Sequence, residues 1–240
     1  ELVPAFDLLE DARAITVQWW ERGKQISIGK TITELNLSGT YDILIENVNP
    51  TKWLSWQIGK ITPRLRWDNE HDNLWRRFGL DPGLFYIGAH INTETSQFYG
   101  YRKDWPVENW KMLFDRLLER PDIRLILFGL KKTGGFNHPS IHDLREDTGL
   151  LEMLSIIKNR CRILIAPDGG ILTLAYYLDV QFPITIVSLW SDPNQGVLKQ
   201  AVASPNKLLK HLPLIGRDND ISTIRAEDVL NAIASSYDPE

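Results

Sequence analysis

The stretch Ile163-Leu164-Ile165-Ala166-Pro167-Asp168-Gly169-Gly170-Ile171-Leu172-Thr173-Leu174-Ala175 decides the fold. A short apolar run stops at a proline and a glycine pair, and a second apolar run follows at once. A buried strand, a tight turn and a helix satisfy that order, and such units build parallel sheets with helical crossovers. Two glycines leave the turn backbone open to close approach, and a helix start attracts anions through its amides and its dipole. Asp168, Gly169 and Gly170 are therefore the first candidates for a phosphate-holding turn. An isolated glycine pair also serves plain chain reversal, and local sequence leaves both readings open.

The same alternation extends in both directions. Leu84 to Ala89 reads as a strand, followed by a polar loop from His90 to Lys103. Pro106 then opens a helix with Trp110, Leu113, Phe114, Leu117 and Leu118 at helical spacing. Arg124 to Phe128 reads as a second strand ending at Gly129, with a glycine-rich loop at Thr133-Gly134-Gly135 and a helix over 150–158. Ile163 to Ala166 is the third strand, with a helix over 171–178 behind it, and Ile184 to Leu189 is the fourth. A last amphipathic helix covers 226–235. This predicts an α/β chain whose residues 83–240 form a Rossmann-like parallel-sheet domain. Residues 1–82 read as a smaller, shortened α/β lobe, with a helix over 6–12, strands over 14–20 and 41–45, and Gly79 to Gly83 as linker.

Hydrophobic residues at 43% and charged residues at 24% leave no room for a disordered chain. The formal net charge of −4 argues against a dedicated nucleic-acid binder, so any anion site is local. Cys161 is the single cysteine, which excludes an intrachain disulfide and predicts a buried thiol in a reducing, cytoplasmic setting. No apolar run approaches the ~20 residues that span a bilayer. His138 and His142 lack a third neighbouring ligand, so no metal site is expected.

Ligands of open parallel sheets bind beyond the carboxyl ends of the strands. That singles out the loops 90–103, 129–135, 167–170 and 190–195. Arg102 and Lys103 supply cations near such a crevice, while a solvated surface pair is the plainer reading. Asn92 and Thr93 offer polar groups to phosphate or sugar oxygens, as loops facing water also do. Trp105 is expected to pack rather than to stack on a base. No Gly-x-Gly-x-x-Gly turn follows a predicted strand, which counts against a nicotinamide-dependent oxidoreductase.

Three stretches, in this order, resemble the heptosyltransferases, the family 9 glycosyltransferases of two-lobed Rossmann (GT-B) architecture. Arg102-Lys103-Asp104-Trp105-Pro106 resembles that family's Lys-x-Trp-Pro segment, and Thr148-Gly149-Leu150-Leu151-Glu152-Met153 its helix-opening motif. Asp168-Gly169-Gly170-Ile171-Leu172-Thr173-Leu174-Ala175 resembles its Asp-Ser/Thr-Gly-x-x-His-Leu-Ala signature. The resemblance covers roughly Leu84 to Ile215, and more weakly Tyr41 to Ile45. It implies an inverting, metal-independent sugar transfer from a nucleotide-diphosphate donor, ADP-sugar first, to a glycan, glycolipid or glycoprotein acceptor, with no further cofactor. It also implies a cytoplasmic protein working near the inner face of a membrane, in contact with its periphery, on lipopolysaccharide-like acceptors.

Carried across, the resemblance places Lys103, Asp168, Gly169, Gly170, Asn92 and Thr93 around the donor diphosphate and sugar, with Lys131 near the donor ribose. Thr173 stands where the family has histidine, Gly169 where it has Ser or Thr, and Lys131 where an acidic residue is common. The family's catalytic aspartate is expected ahead of Glu1, so no catalytic residue is assigned. The alternative is a transferase-fold module that binds or scaffolds without catalysis.

Overall fold

The computed structural model describes residues 17–21, 24–28, 59–93 and 102–234. The predicted helix over 6–12 and strand over 41–45 lie outside these residues. Two antiparallel strands, β1 (Val17–Glu21) and β2 (Lys24–Ile28), form a separate ribbon.

The main body is a six-stranded parallel sheet of β4 (Phe85–His90), β5 (Ile123–Phe128), β6 (Ile141–Asp143), β7 (Cys161–Pro167), β9 (Ile184–Trp190) and β10 (Leu209–Ile215). Its order is β10-β9-β7-β4-β5-β6. The chain thus builds outward from β4 to β6, crosses back, and builds the other way from β7 to β10. That is the doubly wound Rossmann order, and its direction reverses between β4 and β7. Strand β8 (Leu178–Asp179) pairs instead with β3 (Leu65–Arg66) in a small two-stranded sheet.

Period-2 alternation divides the apolar side chains of each central strand between two cores. In β5, Leu125 and Leu127 face one side and Ile126 and Phe128 the other, all fully buried. The first side is covered by α1 (Val107–Leu118) and α5 (Ala226–Ala234), through Trp110, Leu113, Phe114, Val229 and Ile233. The second is covered by α2 (Leu150–Arg160) and α3 (Gly170–Tyr176), through Leu154, Ile157, Leu172 and Ala175. Trp105 packs as expected, edge-on to Trp110 and donating its indole N–H to the Ile224 carbonyl at 2.8 Å. Cys161 is buried, and burial pushes its thiol up to about 12, which makes it chemically quiet.

Sequence periodicity predicts four strands here, and the structure has six. Strand β6 has only three residues, too few for a pattern, and β10 contains Pro213, which a sheet tolerates on an edge. The helix expected over 171–178 stops at Tyr176 because Leu178 and Asp179 leave it to pair with β3. A further short helix, α4 (Gly196–Gln200), follows β9.

Residues 59–82 are built onto this body. Leu65 donates to the Tyr177 carbonyl, and Gly59 and Gln200 exchange bonds with the opposite segment. A 3-10 segment, Asn69–Phe78, starts on the Asp68 cap and lies along α2, tied by Lys158 to Asp72 at 2.6 Å and Arg77 to Glu152 at 2.8 Å. Gly79 closes it in the left-handed region at φ 63°, where glycine costs least. Leu80 is buried in the core.

Gly88 lies mid-strand in β4, where three strands converge. A Cβ there would fall 2.9 Å from Phe128 Cε2 and 3.1 Å from Cys161 Sγ. Gly88→Val should therefore lower stability by about 1–3 kcal/mol through overpacking. Urea unfolding of the purified variant checks this, and an unchanged midpoint would show that the core yields at this point.

Candidate functional site

The loops that leave β4 and β7 lie side by side at the reversal of strand order. The first carries His90, Asn92 and Thr93, and the second Asp168, Gly169 and Gly170. Two consecutive residues of the segment entering α1 grip both loops. Asp104 accepts from the Thr93 amide at 2.6 Å and from its hydroxyl at 3.0 Å, which holds the chain at Thr93 just beyond β4. Lys103 Nζ sits 2.7 Å from Asp168 Oδ2, with side chains 11% and 9% exposed, which fixes the β7 turn. The ammonium predicted near the glycine turn is thus there, bound to the turn's own carboxylate.

Asp168 is also confined from its other side. Gly196, at the start of α4, has φ 46° and is so close that a Cβ there would collide with Asp168 Oδ1. Asp168 donates its own amide to the Leu189 carbonyl at 3.1 Å. The carboxylate is therefore set between Lys103 and the β9–α4 connection.

On the β5 side of the same loops lies a cleft of about 340 Å³. Its polar end is His90, Asn92, Thr93, Gly169 and Gly170. Its apolar wall is Leu130, Leu150, Met153 and Ile171, with Thr148 beside them. Gly170 is exposed and a Cβ on it would meet nothing within 4 Å, whereas a Cβ on Gly169 would reach 3.2 Å from Thr93 Cγ2. The cleft is thus shaped for a ligand with one polar end and one flat or apolar part.

A second set of bonds orders the rim. The Asn92 amide donates to the Thr133 hydroxyl, and the Arg145 guanidinium donates to the Thr133 carbonyl. Arg145 is 2% exposed and forks onto Asp143, at 2.8 Å from Nε to Oδ1 and 2.6 Å from Nη2 to Oδ2. Burial works to raise the Asp143 carboxyl, but the Arg145 hydrogen bonds outweigh it and hold it below the usual carboxylate range.

Of the sequence candidates, Asn92, Thr93, Gly169 and Gly170 line the cleft together. Lys103 and Asp168 brace it from the β9 side. Thr173 turns its hydroxyl back onto the Gly169 carbonyl at 3.1 Å, one helical turn away. Lys131 is exposed on the loop after β5. Sequence reasoning missed the apolar wall and Arg145. Leu150 and Met153 stood inside a quoted motif, but nothing in one dimension showed which helix face meets the strand ends. Among the described residues, no group of three or more His, Cys, Asp or Glu could hold a metal ion, and no helix is long and apolar enough to cross a membrane.

No family model matches the chain, and no curated protein sequence matches it. Solved structures do. ADP-heptose lipopolysaccharide heptosyltransferase II of E. coli superposes with TM-score 0.53 at 19% identity, over 72% of this chain and 53% of that one. The chain shares the fold of the heptosyltransferases. A family 9 glycosyl transferase of Veillonella parvula DSM 2008 gives TM-score 0.52 at 16% identity, with the same shares. An E. coli heptosyltransferase solved with ADP gives 0.44 at 20% identity, over 68% of this chain and 46% of that one. The chain therefore spans about half the length of the heptosyltransferase structures it matches. At this identity what is shared is the GT-B-type Rossmann body.

Two changes should reveal how the site is held. Lys103→Ala leaves the carboxylate of Asp168 buried without its partner and should cost about 3–5 kcal/mol, much of which Lys103→Met with Asp168→Asn should restore. Additive losses in a double-mutant cycle would show that the pair is not coupled. Separately, burial pushes His90 and His211 down to about 4 from 6.5, against the Asp104 field at His90. Both stay neutral in the fold while the unfolded chain takes up protons, so the stability present above pH 6.5 is lost as pH falls toward 4. His90 accounts for at most about 1.4 kcal/mol per pH unit of that slope. Urea titrations at pH 7 and pH 5 should show a shallower loss in His90→Gln than in the wild type.

Proposed function

We propose that this chain is the nucleotide-sugar-binding part of a glycosyltransferase, moving a heptose-like sugar from a nucleotide-diphosphate donor, ADP-sugar first, to a glycan acceptor. The observation that carries the reading is the cleft beside the β4/β7 reversal, with glycines and small polar groups at one end and an apolar wall at the other. The wall suits a nucleobase. The polar end suits a diphosphate, whose charge grows as the sugar leaves. Asn92, Thr93, Gly169 and Gly170 contact the donor, and Lys103 and Asp168 hold the turn and lend its surroundings a fixed charge pair. Lys131 reaches the ribose from the rim. The activity is inverting and independent of metal. The acceptor is a glycan, glycolipid or glycoprotein, and the protein works in the cytoplasm at the membrane's inner face.

One observation favours a second reading, a module that binds without transferring. Thr173, at the family's histidine position, spends its hydroxyl on Gly169 and offers no cation to the cleft.

Calorimetric titration with ADP-, UDP- and GDP-sugars tests the proposal. One of them should bind, and Gly170→Phe, which adds a ring where a Cβ meets nothing, should fold normally and weaken binding at least about tenfold, or about 1.4 kcal/mol. Binding by none of the three removes both readings. Binding without sugar transfer, in the full-length protein, selects the second.

A further inference from the structure

One polar group in the cleft is used by nothing described so far. His90, the last residue of β4, lines the cleft yet is only 7% exposed, and its Nδ1 has no hydrogen-bond partner. Its Cε1, the carbon between the two ring nitrogens, lies 3.9 Å from where a Gly169 Cβ would stand. The Cε1 edge of the imidazole therefore lies beside the glycine turn. A buried polar group without a partner costs about 1–3 kcal/mol, so a fold keeps one chiefly where something else completes it.

We propose that His90 contacts the ligand's anionic group at the Gly169–Gly170 turn and takes up a proton from solvent as that group arrives. This rests on the nucleotide reading above and names the residue that couples binding to pH. The balance is simple: protein, anion and one proton combine, the ring becomes an imidazolium, and a charge-assisted hydrogen bond forms to a phosphoryl oxygen. No covalent bond is made or broken apart from the new N–H.

The surroundings favour that change only when an anion is present. Burial holds the ring neutral in the free protein, down to about 4. Asp104, on the segment entering α1, is the negative group whose field reaches the ring and favours the proton, yet it does not overcome burial. Asp168 on the β7 turn is committed to Lys103, and Arg145, packed against Gly129 at the end of β5, is committed to Asp143. A phosphoryl oxygen a hydrogen bond away adds a much closer negative charge in a poorly hydrated place, where such pairs are strongest. Neutral histidine also discriminates: an uncharged ligand gains no proton and no charge-assisted bond.

The test is proton-linked binding to the wild-type chain. Calorimetry with ADP at pH 7, in two buffers of different ionisation enthalpy, should show uptake of a fraction of a proton rising to about one, and affinity should increase as pH falls from 8 to 6.5. His90→Gln should bind ADP with no uptake and a flat pH profile. Because that variant alters a buried position, the wild type is also read directly. In the ¹³C NMR spectrum the His90 Cε1 signal should titrate near neutrality with ADP or inorganic pyrophosphate present and stay neutral-like with adenosine. If ADP binds with no proton uptake and an unmoved Cε1 signal, the inference fails while the nucleotide reading stands. If ADP and the nucleotide sugars do not bind, that reading fails, and a Cε1 signal also unmoved by pyrophosphate overturns the inference by itself.

Discussion

Everything at the carboxyl end of this sheet depends on two adjacent side chains with opposite charge. Lys103 and Asp104 point to different strand-end loops, one gripping Asp168 and the other Thr93. Because they share one stretch of backbone, the β4 and β7 loops cannot separate without breaking buried polar contacts. Such contacts add little net stability compared with apolar packing, but losing one partner is costly. Their effect is positional. The reversal of strand order makes a gap between two loops, and the pair sets its width.

The two faces of the sheet divide the remaining work. The α1 and α5 side is a dry layer dominated by Trp110, Phe114 and branched aliphatics, and it anchors the segment that carries the clamp. The α2 and α3 side is also buried below, but at its upper end Leu150, Met153 and Ile171 emerge as the wall of the cleft. One helix thus contributes both core and site, which makes the wall rigid. The 3-10 segment strapped along α2 through Asp72 and Glu152 stiffens it further from outside. Binding surfaces set on such packed elements keep their geometry better than loops alone do.

Electrostatically the cleft differs from what a basic motif suggests. The cations beside it, Lys103 and Arg145, are paired with Asp168 and Asp143, and the residues that line its polar end are neutral. An arrangement of this kind selects by shape and by hydrogen-bond complementarity before it selects by charge. His90 is the titratable side chain at that end, and burial holds its ring neutral, down to about 4.

The sequence by itself determined the layer architecture, since apolar runs alternating with helical spacing leave a parallel sheet as the way to bury both kinds of surface. It also determined the turn at Asp168 to Gly170 and the packing role of Trp105, because glycine pairs and helix-entry prolines act locally. Strands β6 and β10 escaped it, one for shortness and one for Pro213, since pairing with an existing edge is a nonlocal reward that no short window records. Only the tertiary structure decided which cations were free to serve. That Lys103 pairs with Asp168 and that the His90 ring lies beside the Gly169 turn follow from distances between segments tens of residues apart, while Thr173 turning back to Gly169 follows from its own helix. Charge and polarity are written in the chain, but who neutralises whom is settled by packing.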